Sequence, residues 1–252
     1  MERCTLFSNE TYLNYNMSTS LVVFAKNPIS GKVKTRLIPG ISSDRAAELY
    51  KAFILDTINK INRLKCRKAS IAYTPHGAER AFRKLAGRSI ILLPQKGRNL
   101  GERMKNAFIH SFAEGAKRVV IIGTDSPTLP ISLIQKAFDV LKKTPIVIGP
   151  TFDGGYYLIG LSRPNYEVFN GIKWSTSMVF DQTLSKIKSS KKQTSKKQVS
   201  MKQASEKQLC VLPPWYDVDT SDNLNFLKTH ILAMKMSGLE DMPDNTARFL
   251  NI

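Results

Sequence analysis

From Leu21 onward, short apolar runs alternate with longer segments in which apolar residues recur at three- and four-residue spacing. The short runs predict strands at Leu21 to Lys26, Ala69 to Thr74, Ser89 to Leu93, Arg118 to Gly123, Pro145 to Gly149, Tyr156 to Gly160 and Leu209 to Leu212. Between them, Leu49, Phe53, Ile54, Ile58 and Ile61 form one face of a helix that Ser42 or Ser43 can cap. Further helices are predicted at Ala78 to Leu85, Leu100 to Glu114, Ser132 to Leu141, Thr176 to Lys188 and Asp222 to Met236. Strands alternating with helices in this way build βαβ units and a mostly parallel α/β sheet.

The residues before 18 are polar and aperiodic, so the expected organisation is a tail over 1–17, one domain over 18–240 and a C-terminal tail over 241–252. At 252 residues the chain suits one large domain, and 42% hydrophobic with 23% charged residues is the composition of an ordinary globular protein. No apolar run approaches the roughly 20 residues that cross a bilayer, and Glu2 and Arg3 open a stretch without a secretory pattern. A cytoplasmic location is the expectation. Cys4, Cys66 and Cys210 are odd in number and far apart, which argues against a disulfide framework or a zinc site.

The net charge of +18 raises the question of nucleic acid. Between Lys186 and Gln208, eight lysines face one acid, and the stretch repeats as SKKQT, SKKQV, SMKQA and SEKQL from Ser190. A period of five matches neither helix nor strand, and no aromatic interleaves the lysines for base stacking. The stretch 189–208 therefore reads as a low-complexity surface insertion, and no specific nucleic-acid partner is expected.

Open α/β sheets bind ligands beyond the carboxyl ends of their strands, so the loops that follow strands are the places to look for chemistry. The first, Lys26 to Leu37, is basic and turn-rich: Lys26, Lys34 and Arg36 can converge on an anion beside exposed backbone N–H groups. It carries neither a P-loop nor a dinucleotide fingerprint. After the fourth strand, Gly123-Thr124-Asp125-Ser126-Pro127 puts Asp125 at the sheet edge, either as a turn cap or as an oxygen ligand for Mg²⁺ or Mn²⁺. Asp153-Gly154-Gly155-Tyr156 is either a hairpin turn or a place where a ligand approaches the backbone closely. Asp217 and Asp219 lie two residues apart, and like charges at 4 Å repel by about 4 kcal/mol at an effective dielectric near 20, so a cation belongs beside them. Thr220 is a natural N-cap for the helix that follows. His76, His110 and His230 do not cluster in sequence, and Trp174 and Trp215 read as partial core, Trp215 with a place beside the site.

Taken in order, these motifs resemble one family of nucleotide-dependent transferases, the GT-A-like family DUF2064 linked to arsenosugar biosynthesis, with small-molecule nucleotidyltransferases as distant relations. The resemblance runs from about Leu21 to Phe226 and includes Gln95-Lys96-Gly97-Arg98-Asn99-Leu100-Gly101-Glu102-Arg103-Met104, with Asn99 where the family has Asp. It implies a single GT-A-like, Rossmann-like three-layer domain. It also implies that Asp125, Asp217 and Asp219 hold the metal, while Lys26, Lys34, Arg36 and Gln95 hold the nucleotide and its phosphates. Gly154, Gly155 and Tyr156 would border the sugar or acceptor, with Asp153 orienting or deprotonating an acceptor hydroxyl.

The expected function is metal-dependent transfer of a sugar from an NDP-sugar to a small acceptor. The alternatives are nucleotidyl transfer from an NTP with pyrophosphate release, and a basic nucleic-acid-associated protein. Deleting residues 190–208 separates the last of these from the first two. Thermal stabilisation by nucleotide plus Mg²⁺, read by scanning fluorimetry, is expected to survive the deletion unchanged.

Overall fold

The computed structural model describes residues 19–64, 68–195 and 207–252. Seven strands form one sheet: β1 (Thr19–Lys26), β2 (Lys68–Thr74), β3 (Ile91–Pro94), β4 (Arg118–Ile122), β5 (Ile146–Pro150), β6 (Tyr156–Leu161) and β7 (Leu209–Val211). Their order is β3-β2-β1-β4-β6-β5-β7, and all neighbours run parallel except β6, which is antiparallel to β4 and β5. The helices are α1 (Ser43–Arg63), α2 (Glu79–Ala86), α3 (Leu100–Ala113), α4 (Ile131–Val140), α5 (Val179–Ser195), α6 (Ser221–Met236) and α7 (Asp244–Leu250).

Strand alternation divides the core into two layers. Leu21, Val23 and Ala25 of β1 point to one face, where they meet Leu49 and Phe53 of α1, Ile134 of α4 and Ile231 of α6. Val22, Val119 and Ile159 point to the other, against Met104 and Phe108 of α3 and Ile187 of α5. With both faces covered, the central strands read as continuous apolar runs, which is why the sequence marks them so clearly. Every strand lies within two residues of its expected position.

Helix starts follow the expected chemistry. The Ser42 side chain accepts a hydrogen bond from Arg45 N, and Thr220 with Asn223 forms a capping box at α6. Helix α5 extends to Ser195, beyond the expected end at Lys188, because the first copy of the repeat holds no helix breaker. The tail over 1–17, Cys4, Cys66 and residues 196–206 of the insertion lie outside the described residues.

The segment 241–252 is not a tail. It contains α7, whose Thr246 and Ala247 are buried, and whose first turn is held by Asp56 of α1. Asp56 is 2% exposed and accepts four hydrogen bonds, from the backbone and side chain of Asn245 (2.9 and 2.8 Å) and of Thr246. A helix of 7 residues is too short to show a period in sequence, and its anchor lies 189 positions upstream.

β1 is the point at which strand order reverses: β2 and β3 lie to one side and β4 to the other. The loops after β1 and β4 therefore part over the sheet edge and leave a crevice. The β4–α4 loop is braced from behind, where Lys60 Nζ donates to Pro127 O and Asp241 Oδ2 accepts from Ile131 N at 2.6 Å. Lys60 is 5% exposed, and burial lowers its pKa to about 8 against the opposing pull of Asp241 and Asp56. The folded chain therefore holds that proton less tightly than the unfolded chain, whose lysine titrates near 10.5. Stability contributed at this position rises with pH between those values, by about 3 kcal/mol. Urea unfolding is expected to show that rise in the wild type relative to Lys60→Met between pH 7.5 and 10.5. Equal slopes for the two proteins would refute the burial assignment.

Candidate active site

The crevice opens into a cavity of about 950 Å³, at the upper end of the roughly 300–1,000 Å³ common for ligand sites. Loops from β1, β3, β4, β5 and β7 line it, together with the segment before α5. Lys34 stands at its centre. Its backbone takes a left-handed conformation (φ 48°) ahead of the 3-10 turn Thr35–Leu37, and its side chain is 3% exposed. The ammonium donates to Asp125 Oδ1 in a short ion pair and to Asp219 Oδ1 at 2.9 Å. It also lies 5.6 Å from the ring centroids of Tyr50 and Phe53. Burial alone would lower its pKa, but the two carboxylates overcome that and raise it.

Asp125 and the Asp217–Asp219 segment meet directly as well, since Val218 N donates to Asp125 O at 3.0 Å. Among the described residues, no cation pairs with Asp217. Burial, followed by the negative charge of Asp153, Asp219 and Asp125, pushes its pKa up to about 6. Carboxylates distant in sequence thus form one cluster at the cavity floor, with a surplus of negative charge at Asp217.

That surplus bears on whether the residues fit a divalent cation. No set of three or more His, Cys, Asp or Glu side chains stands ready to hold a metal among the described residues. Lys34 occupies the space between Asp125 and Asp219. Mg²⁺, however, is commonly held by one or two carboxylates plus substrate phosphates rather than by a protein cage. Asp217 beside Asp125 or Asp219 matches that donor chemistry, with phosphate oxygens supplying the remainder.

The other expected residues are distributed around this floor. Arg36 is 69% exposed and lies 4.0 Å from Asp219, so its guanidinium remains open to an anion. Lys26 lines the rim, and its backbone N–H donates to Tyr50 OH at 3.1 Å. Tyr50 in turn bonds Thr124 Oγ1 at 2.7 Å, and burial with Asp125 nearby pushes its pKa up to about 12. Gln95 reaches the cavity as a strut, with Nε2 donating to Ala72 O at 2.8 Å and its backbone N–H to Tyr73 O. Asn99 caps α3 by accepting from Glu102 N at 2.9 Å. The stretch Thr151 to Gly155 is the hairpin turn between β5 and β6, with Asp153 Oδ1 accepting from Gly155 N at 2.9 Å; Thr151, Asp153 and Gly155 line the cavity, whereas Gly154 turns to Ser177 instead. Tyr156 lines the cavity, its ring edge-on to Trp174 at 6.5 Å and its hydroxyl buried beside Thr183.

Sequence reasoning missed the opposite wall, Trp174 to Ser177. The Trp174 indole nests against Gly101 of α3, where a Cβ would come within 2.6 Å of it. A glycine inside a helix costs stability, so Gly101 was the available signal of a close approach. Gly154 plays the same part for the other end of this wall. Its Cβ would sit 2.0 Å from Ser177 O, and Phe180 N donates to Gly154 O at 2.9 Å.

Known proteins share this architecture. The family model DUF2064, described as uncharacterized protein conserved in bacteria, matches residues 57–176. A candidate nucleotide-diphospho-sugar transferase from Desulfovibrio desulfuricans G20 is 37% identical, over 85% of this chain and 88% of its own, with a TM-score of 0.74. A cytidylyltransferase from Leptospira borgpetersenii serovar Hardjo-bovis is 12% identical over 93% of this chain and 94% of its own, with a TM-score of 0.51, a likeness of fold. No curated protein matches. The chain is an α/β transferase, as the 37% identical relative is, with the fold that nucleotidyltransferases and GT-A-like enzymes share. Within that class, the chain belongs to the DUF2064 family.

The Gly154 contact is directly testable. Gly154 has φ +89°, so alanine there meets both backbone strain and a main-chain carbonyl. Gly154→Ala is expected to destabilise the fold by about 2 kcal/mol or more in urea unfolding and to abolish nucleotide-dependent thermal stabilisation.

Proposed function

We propose that the protein transfers a sugar from a nucleotide-diphospho-sugar to a small acceptor with the help of a divalent cation. The observation that carries this reading is the meeting of Asp125, Asp217 and Asp219 beneath a basic rim, in one cavity at the carboxyl edge of the sheet. The 37% identical relative named for nucleotide-diphospho-sugar transfer supports it. Charge accumulates on the departing diphosphate in such a reaction, and groups that neutralise it there lower the barrier.

In this reading Asp217, with Asp125 or Asp219, holds Mg²⁺ or Mn²⁺, and that ion supplies Lewis-acid stabilisation of the diphosphate. Arg36 and Lys26 hold phosphate oxygens from the rim. Lys34 fixes the spacing of Asp125 and Asp219, with two of its three ammonium protons committed to carboxylates. Gln95 keeps the β2 edge of the nucleotide site in register. Asp153 has Oδ1 tied into the hairpin turn, which leaves its second oxygen to orient or deprotonate an acceptor hydroxyl. Gly155 and Tyr156 border the acceptor, and Gly154 holds the Ser177 wall beside them.

Lys34 is committed to carboxylates, which leaves Lys26, Lys32, Arg36 and Arg103 along the cavity to meet the phosphates in either sugar transfer or nucleotidyl transfer. Incubation with Mn²⁺ and a panel of NDP-sugars and NTPs distinguishes them by product: free NDP is expected, whereas pyrophosphate would reassign the reaction. Asp217→Asn is expected to lower the rate at least about 100-fold and to weaken stabilisation by nucleotide plus Mn²⁺. An unchanged rate in that variant would refute the assignment.

A further inference from the structure

The acid-bearing loops are joined a second time, behind the cavity. Trp215 Nε1 donates to Thr128 Oγ1 at 3.4 Å, Thr128 Oγ1 donates to Tyr216 OH at 2.7 Å, and Tyr216 OH lies 2.8 Å from His230 Nδ1. Thr128 belongs to the β4–α4 loop, three residues after Asp125, and is 1% exposed. Tyr216 immediately precedes Asp217, and His230 lies on α6.

The chain has one direction. An indole N–H can only donate, and each hydroxyl has a single proton to give. With Thr128 giving its proton to Tyr216, the Tyr216 proton goes to His230 Nδ1, which accepts as neutral imidazole. Desolvation lowers the His230 pKa, in keeping with a neutral ring. Rings hold the members in place: Trp215 stacks on Tyr216 at 6.0 Å and 22°, and Phe226 meets Tyr216 edge-on at 4.8 Å and 84°.

From this geometry we infer that Thr128, Tyr216 and His230 are positioning residues that fix the loop of Asp125 against the segment of Asp217 and Asp219. None of them reaches the reacting groups. They act through the Val218 N–H bond to Asp125 O, whose register they lock from the far side. The inference rests on the proposed role of the carboxylate cluster, but its first measurement does not.

That measurement is amide hydrogen exchange at Val218, compared with Val22 in the core of β1. Tyr216→Phe and His230→Leu are expected to speed Val218 exchange about tenfold and leave Val22 unchanged, the mark of local rather than global opening. His230→Asn, whose Oδ1 replaces Nδ1 as acceptor, is expected to remain near wild type. The second measurement is titration with Mn²⁺ alone, followed by the paramagnetic signal of the free ion. Tyr216→Phe is expected to bind about tenfold more weakly than wild type, and His230→Asn to retain affinity. Unchanged Val218 exchange in Tyr216→Phe overturns the inference. So does faster exchange with undiminished Mn²⁺ affinity. If the wild type binds no Mn²⁺ without substrate phosphates, Val218 exchange alone decides whether the chain of hydrogen bonds sets the loop register.

Discussion

One buried ammonium organises the centre of this protein. Lys34 draws Asp125 from the loop after β4 and Asp219 from the segment after β7 onto a single point, although 185 positions separate it from Asp219. Both the left-handed backbone at Lys34 and the desolvation of its charge are unfavourable, and the two carboxylates offset them. Removing Lys34 would leave Asp125 and Asp219 facing each other without compensation at the cavity floor. The arrangement of the floor therefore depends on all three residues at once.

The surrounding structure holds this triad from several sides. Val218 N–H ties the two acid segments by their backbones, and Lys60 and Asp241 brace the β4–α4 loop from below. Asp56 connects that support to α7, so the last residues of the chain form part of the foundation of the site. Small rearrangements at this end would be felt at the cavity because closely packed elements shift together rather than deform.

Electrostatically, the cavity inverts the character of the chain. A protein of net charge +18 gathers its carboxylates at the floor and leaves Lys26 and Arg36 on the rim. An anionic ligand would be drawn in by the rim, while the surplus at Asp217 calls for a cation between ligand and floor. The combination suits a diphosphate ester accompanied by a divalent ion better than either alone.

The sequence by itself determined the strands, most of the helices and the loops that carry chemistry, because continuous apolar runs and helical spacing are local signals that β1, β4 and α1 display plainly. It also singled out Asp125, Asp217 and Asp219, and the repulsion within the Asp217–Asp219 pair called for a neighbouring cation. The DUF2064 resemblance came from the same motifs. Tertiary structure decided which cation lies between Asp125 and Asp219, since no spacing rule relates Lys34 to residues 91 and 185 positions away. It decided likewise that 241–252 is a docked helix and that Trp174 to Ser177 closes the cavity. Those features arise from contacts between distant segments, whose energies depend on the folded geometry and leave no periodic trace along the chain.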